Sequence, residues 1–450
     1  ITFDNVEVAG NYRAALGGIQ AFNGLGTVSF NDVTLGGQTG AGTDSSGWGS
    51  LYFSNLGNSD IDIGNTTFDA IDGQYILLGT NFTSAFTTNN VDATGATFEG
   101  VLASDATLEE SFAIEDKIFH ALDFAPQGLV TWQADNVFVT AASATLPGGG
   151  IQRGVDAASS GTTINVDNET FTENVNIAKN GLTLKGAGAG TRGQQRDGSN
   201  ETTIEGYIRT EANVDGLTID GFTLSNQGNV VPGYGDRTSI ALNNNVKNVD
   251  IINNRFLGND EVGSFGVTTS IAGVENIEIK GNLITELNGG IYVNPNAVNV
   301  DILSNRFSDN NFGAITEGDA DVQGNAFVNN SDAGNEIFGN VPNFTNNAFR
   351  NNAQHIVYNN ATGPDLLVDQ STGNRFFSDG AFKFTDAMSI DELFALEDAV
   401  THKLDDINNG MGVFKTGELF VSSNTAGIQN AIDAASAGNT VNVDDSTYQE

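Results

Sequence analysis

Residues 246–256 read Val246-Lys247-Asn248-Val249-Asp250-Ile251-Ile252-Asn253-Asn254-Arg255-Phe256, an apolar alternation that stops on an Asn-x-Phe triplet. The pattern returns as Val274-Glu275-Asn276-Ile277-Glu278-Ile279-Lys280-Gly281-Asn282-Leu283-Ile284, then as Val298-Asn299-Val300-Asp301-Ile302-Leu303-Ser304-Asn305-Arg306-Phe307. A shorter copy is Ala320-Asp321-Val322-Gln323-Gly324-Asn325-Ala326-Phe327. Alternation of this kind puts every second side chain of a strand on one buried face. The triplet asparagines fall at 254, 282, 305, 325, 347 and 374, in steps of 20 to 28 residues. A step of that size is one coil of a solenoid holding two or three short strands. From about 163 to 377 the sequence therefore reads as an all-β solenoid.

Stacked coils bring equivalent residues to about 4.8 Å from one another, so like sits on like. Asn254, Asn282, Asn305, Asn325, Asn347 and Asn374 are predicted to form a ladder that hydrogen-bonds along the axis. Phe256, Phe307, Phe327, Phe349 and Phe376 are predicted to fill the interior as a second column. These residues resemble the right-handed parallel β-helix superfamily, the pectate lyase-like and NosD-like repeats found as modules of large repetitive bacterial surface proteins. The resemblance covers 151–378 and, by repetition, 1–104. It implies the fold and leaves activity open.

A longer period overlies the coils. Phe112-Ala113-Ile114-Glu115-Asp116 returns 282 residues on as Phe394-Ala395-Leu396-Glu397-Asp398. Ile151-Gln152 with Val155-Asp156-Ala157-Ala158-Ser159 returns 277 residues on as Ile428-Gln429 with Ile432-Asp433-Ala434-Ala435-Ser436. Capping boxes stand at Thr107-Leu108-Glu109-Glu110 and Ser389-Ile390-Asp391-Glu392. Leu108, Phe112, Ile118, Phe119 and Leu122, like Ile390, Leu393, Phe394, Val400 and Leu404, recur near helical spacing. The expected organisation is the C-terminal part of a β-helix over 1–104 and a helical connector over 105–150. A complete β-helix with an N-terminal capping helix then fills 151–380, a second connector 381–427 and the start of a further β-helix 428–450. The last coil opens at Thr447-Tyr448-Gln449-Glu450. That phase predicts a window on a longer repeat protein, or subunits that stack head to tail as an open filament.

The chain carries 56 acidic against 18 basic residues, a net charge of −38. Such a field repels nucleic acid and anionic lipid. Cysteine is absent, so neither disulfides nor cysteine-based metal sites form. No apolar run approaches membrane-spanning length. Acidic loops point instead to Ca²⁺, which takes six to eight oxygen ligands. The candidate ligands are Asp405, Asp406 and Asn408 after the second connector helix. Asp444 with Asp445, and Asp167 with Glu169, are a further recurring acidic pair at the mouth of each solenoid. His120 and His402 each follow an acid by four residues, Asp116 and Asp398, and read as helix-stabilising pairs.

The resemblance raises polysaccharide cleavage. Its galacturonase-type signature needs a paired Asp together with a Gly-His-Gly and an Arg-x-Lys, and the sequence has neither of the last two. Arg255, Arg306 and Arg375 recur at one triplet position, which favours an outward structural column over a single lyase base. Asp60 with Asp62 and Asp250 with Asp301 are ordinary among so many acids, as are the sequons at Asn81, Asn168 and Asn343. The expected function is therefore non-enzymatic: a structural extracellular or cell-surface protein forming a rod, filament, adhesin stalk or surface layer by self-association. The alternative is a polysaccharide-binding or polysaccharide-cleaving β-helix (lyase, hydrolase or phage-like spike) with polysaccharide or cell envelope as its partner.

Overall fold

The computed structural model describes the chain except residues 10–15, 21–25, 38–48, 56–59, 79–88, 145–149, 227, 260–261, 271, 361, 425–426 and 449–450. Asn81, Gln449 and Glu450 therefore lie outside the described residues. Two compact units are present, 1–173 with 181–187 and 174–180 with 188–450. Strands in long parallel sheets dominate both, an arrangement compatible with an all-β solenoid. Among the described residues no helix is long and apolar enough to cross a membrane.

In the second unit the chain visits three parallel sheets in turn. One coil supplies Val246–Ile252 to the first sheet, Arg255–Leu257 to the second and Ser264–Thr269 to the third. The next supplies Val274–Lys280, Leu283–Thr285 and Gly289–Val293, and the one after it Val298–Leu303, Arg306–Ser308 and Phe312–Thr316. Each strand pairs with its counterpart one coil on, and the core residues stay in register: Ile251 on Ile279, Ile302, Val322 and Phe344. A one-residue slip would turn every apolar side chain outward, so the alternation itself fixes this register.

The corner between first and second sheets is made by one left-handed residue per coil. Asn253, Gly281, Ser304, Gly324, Asn346 and Gly373 occupy it, all with φ between 56° and 72°. Asparagine and glycine tolerate that backbone best, which accounts for the residue preceding each triplet. The second sheet ends in an antiparallel hairpin, Arg375–Ser378 with Ala381–Lys383, turning through Asp379 and Gly380.

In the first unit Thr27–Gly36 pairs in parallel with Thr2–Val8, Asp60–Asp62 and Thr66–Asp69. Phe30, Phe53, Phe68, Tyr75 and Phe98 anchor its core, with Phe68 and Phe98 stacked at 5.1 Å.

Both connector helices open on reciprocal capping boxes, Thr107 with Glu110 and Ser389 with Glu392. The helices are shorter than their apolar spacing predicts, Leu108–Glu115 and Ile390–Asp398. Ile118–Phe119 and Val400–Thr401 are instead short strands added to Gln74–Leu78 and Gln354–Tyr358. β-Branched and aromatic residues beside an available sheet edge gain ladder hydrogen bonds there, which overrides a weak helical preference.

Candidate functional site

The asparagine column is continuous. The main-chain N–H of Asn254 donates to Oδ1 of Asn282 (2.7 Å), Asn282 to Asn305 (2.9 Å) and Asn305 to Asn325 (2.9 Å). Asn325 donates likewise to Asn347 (3.0 Å) and Asn347 to Asn374 (2.9 Å). Each Nδ2 donates back across the corner to a carbonyl: Ile219, Ile251, Ile279, Ile302, Val322 and Phe344, in chain order. The left-handed residue bends the backbone out of the sheet ladder, and the buried amide side chain satisfies the groups stranded there.

A second column that the triplet search did not separate stands at the next corner. Asn310 donates its N–H to Asn330 Oδ1 (3.2 Å), and Asn330 to Asn352 Oδ1 (3.0 Å). Asp309, Asn329 and Asn351 precede these residues, again at positive φ. The doubled asparagines at 253–254, 329–330, 346–347 and 351–352 carried the signal for both corners: the first of each pair turns, the second ladders.

The aromatic column is equally regular. Phe307, Phe327, Phe349 and Phe376 stack at 4.9, 5.0 and 5.3 Å, with ring planes within 15°. Ile284 separates Phe256 from Phe307 in register. Opposite the rings runs a glycine column, Gly266, Gly290, Gly313 and Gly334. A Cβ on Gly313 would stand 2.4 Å from the Gly334 carbonyl and 2.7 Å from Phe327 Cδ1. A side chain of any size there would displace a ring. Beyond Gly334 the next residue in the column is His355, whose ring lies beside the stacked pair Phe349 and Phe376, 5.9 and 5.8 Å from their centres. Burial pushes this histidine down to about 4.

The acidic candidates divide. Asp405 turns inward and accepts the His402 N–H (2.8 Å), whereas Asp406 accepts from Asn408 N and Nδ2 (2.9 and 2.8 Å) in its own loop. Asp444 accepts from Ser446 N (3.0 Å) and from the Tyr448 hydroxyl. Asp445 and Glu169 are exposed, and Asp167 caps the N–H of Asn168. What the fold gathers is a buried acid–histidine knot that occurs once in each connector: Glu115, His120 and Asp123, then Glu397, His402 and Asp405, each 282 residues on. The histidines belong with Glu115 and Glu397, not with the predicted Asp116 and Asp398. The helix stops before them, so the four-residue spacing no longer places two side chains on one face. Asp116 and Asp398 instead accept from the hydroxyls of Thr140 and Ser422.

In the first knot the Val130 N–H donates to His120 Nδ1 (3.0 Å), which leaves the ring proton on Nε2, 2.9 Å from Glu115 Oε1. Burial and that amide oppose a second proton, but the carboxylates of Glu115 and Asp123 outweigh them and hold His120 above its ordinary value. Asp123 is pushed up to about 7, chiefly by burial. In the second knot Gly412 N–H holds Nδ1 in the same way (3.1 Å), but Glu397 Oε1 stands off at 3.6 Å while Oε2 takes the Ser422 hydroxyl. Burial sends His402 down to about 4 and Glu397 up to about 8. Donor atoms of Glu397, His402 and Asp405 lie within 4.8 Å of one another. Among the described residues His402 Nε2 and Glu397 Oε1 have no hydrogen-bond partner, and a cation bound there would have to displace the Nε2 proton that the Gly412 amide enforces.

Arg255, Arg306 and Arg375 share one register column with Leu283, Ala326 and Ala348. Arg255 is 3.4 Å from Glu201, and Glu201 also binds Arg196 at 2.5 Å. Arg196 reaches the carbonyls of Gly221, Phe222 and Asn253, so the 188–201 segment straps several coils together. No family model, curated protein or solved structure matches the chain.

Proposed function

We propose that this chain is a structural component of the extracellular space or cell surface: right-handed parallel β-helices of the pectate lyase-like and NosD-like kind, joined by helical connectors. Such modules stacked end to end would form a rod, filament or surface layer. The observation that carries this reading is the joint between connector and solenoid, which is built twice. In the first copy Thr163–Val166 lies parallel between the connector strand Asn136–Val139 and the coil strand Leu182–Lys185. In the second copy Thr440–Val443 lies parallel to Glu418–Val421 in the same register, Leu419 on Val441 as Val137 on Ile164. A joint made of main-chain hydrogen bonds repeats wherever the module repeats, and strands paired along the stacking direction resist extension. Repeat order of this kind favours scaffolding over a single privileged site.

Ca²⁺ belongs to the same reading, since divalent cations would bridge neighbouring acidic surfaces that otherwise repel. Negative-stain microscopy of purified protein, with Ca²⁺ and with chelator, tests it. Filaments or sheets in either condition support the proposal. Isolated short particles in both would sink it.

A further inference from the structure

Large apolar side chains stand exposed at the same place in both copies of the module. Leu102 and Leu108 are 40% and 52% exposed, and their counterparts 282 residues on, Phe384 and Ile390, are 39% and 46% exposed. Each pair sits where a terminal hairpin meets the start of a connector helix: Thr97–Phe98 with Val101–Leu102, and Arg375–Ser378 with Ala381–Lys383. One exposed leucine needs no explanation, but the same apolar corner presented twice at the module period does.

The two corners differ in charge. Residues 89–116 contain no lysine or arginine, and Asp105 and Glu109 are exposed beside the leucines. The second corner adds Phe382, 43% exposed, and three of the chain's 18 cations. Arg350 lies over the Phe377 ring at 4.4 Å and Arg375 over the Phe382 ring at 6.0 Å. Lys383 is spent on Glu392 (2.6 Å), and Asp386 and Asp391 remain exposed nearby. Guanidinium groups resting on aromatic rings are held in place with donors left over, the composition that interface centres favour.

We propose that this corner is a contact between two copies of the chain. Phe382, Phe384 and Ile390, with Arg350 and Arg375, of one molecule cover Leu102 and Leu108, with Asp105 and Glu109, of another. The apolar faces supply burial and the guanidinium–carboxylate pairs fix the orientation. This contact is separate from end-to-end stacking and would hold neighbouring strands side by side.

The absence of cysteine makes the test clean. Full-length Leu102→Cys and Phe384→Cys are prepared separately, checked for unchanged melting, then mixed and treated with a short bismaleimide. The expected result is a cross-linked pair between the two variants, at least about tenfold above a mixture of Leu102→Cys with Val262→Cys, whose site is more exposed still (82%). Adding Arg350→Glu and Arg375→Glu to the Phe384→Cys chain is expected to reduce the yield about tenfold, the effect of roughly 1.4 kcal/mol. Cross-linking no higher than the Val262 control overturns the proposal. So does Phe384-dependent binding to phosphatidylserine vesicles without any cross-linked pair. The readout is specific to this contact, so single filaments without the cross-link would refute it while leaving the stacking reading intact.

Discussion

Asn305→Ala is the sharpest perturbation of the ladder. The missing Oδ1 leaves the buried N–H of Asn282 without its 2.9 Å acceptor and takes one of two partners from Asn282 Nδ2. The missing Nδ2 deprives the Ile279 carbonyl of a 2.8 Å donor. A buried donor left unmade costs about 1–3 kcal/mol, and each of the two further hydrogen bonds about 1 kcal/mol net, so the loss should be about 3–5 kcal/mol. Asn276 provides the control. It belongs to an exposed ladder, bonding Asn248 at 3.1 Å and Asn299 at 2.8 Å, and its φ of 58° makes glycine the neutral replacement. Asn276→Gly should cost below about 1 kcal/mol. Because the chain has two units, a global midpoint mixes transitions, and amide hydrogen exchange reports the local effect better. The Asn282 amide should exchange about 100-fold faster in Asn305→Ala, the factor that corresponds to roughly 2.8 kcal/mol. Unchanged exchange there, or equal costs for the two variants, would refute the reasoning.

Three other outcomes follow from the interior. Gly313→Ala drives a Cβ to within 2.4 Å of the Gly334 carbonyl, so overpacking should cost about 1–3 kcal/mol in a urea titration, and an unchanged midpoint would contradict the glycine column. His355 is held near 4 when folded against about 6.5 unfolded, so its contribution is complete above pH 6.5 and lost as pH falls toward 4, up to about 3 kcal/mol. His355→Phe should flatten that part of the stability profile, leaving the similar but separate slope from His402, and parallel curves for variant and parent would count against it. Asn335 is fully buried in register with Ala314 and Ile356, and neither polar atom of its side chain has a hydrogen-bond partner among the described residues. Asn335→Val should therefore stabilise by about 1–2 kcal/mol on denaturation, and a loss of that size would mean the amide is satisfied in solution.

The strands and their period were legible in Val246–Ile252 and its copies because alternation and spacing are local properties. The glycine column was not. Which of the 55 glycines faces a phenylalanine depends on how the third sheet lies against the second, and no periodicity announces it. Asn310, Asn330 and Asn352 were hidden for a related reason: their corners look like surface turns until the following residue is known to be buried. The connectors misled in the opposite way. Spacing extended the helix past Glu115 and paired His120 with Asp116, whereas a sheet edge captures Ile118 and Phe119 and turns the histidine toward Glu115. Among the acidic candidates, nearness in sequence did not mean convergence. Asp405 and Asp406 are neighbours, yet one enters the knot and the other caps a loop.

The most direct test is diffraction from assemblies of the purified chain, oriented by flow or imaged as filaments by electron cryomicroscopy. Modules stacked end to end predict a strong reflection near 4.8 Å along the filament axis, from strands lying across it. A filament whose 4.8 Å spacing runs across the axis, or a protein that never assembles at any Ca²⁺ concentration, would contradict the account.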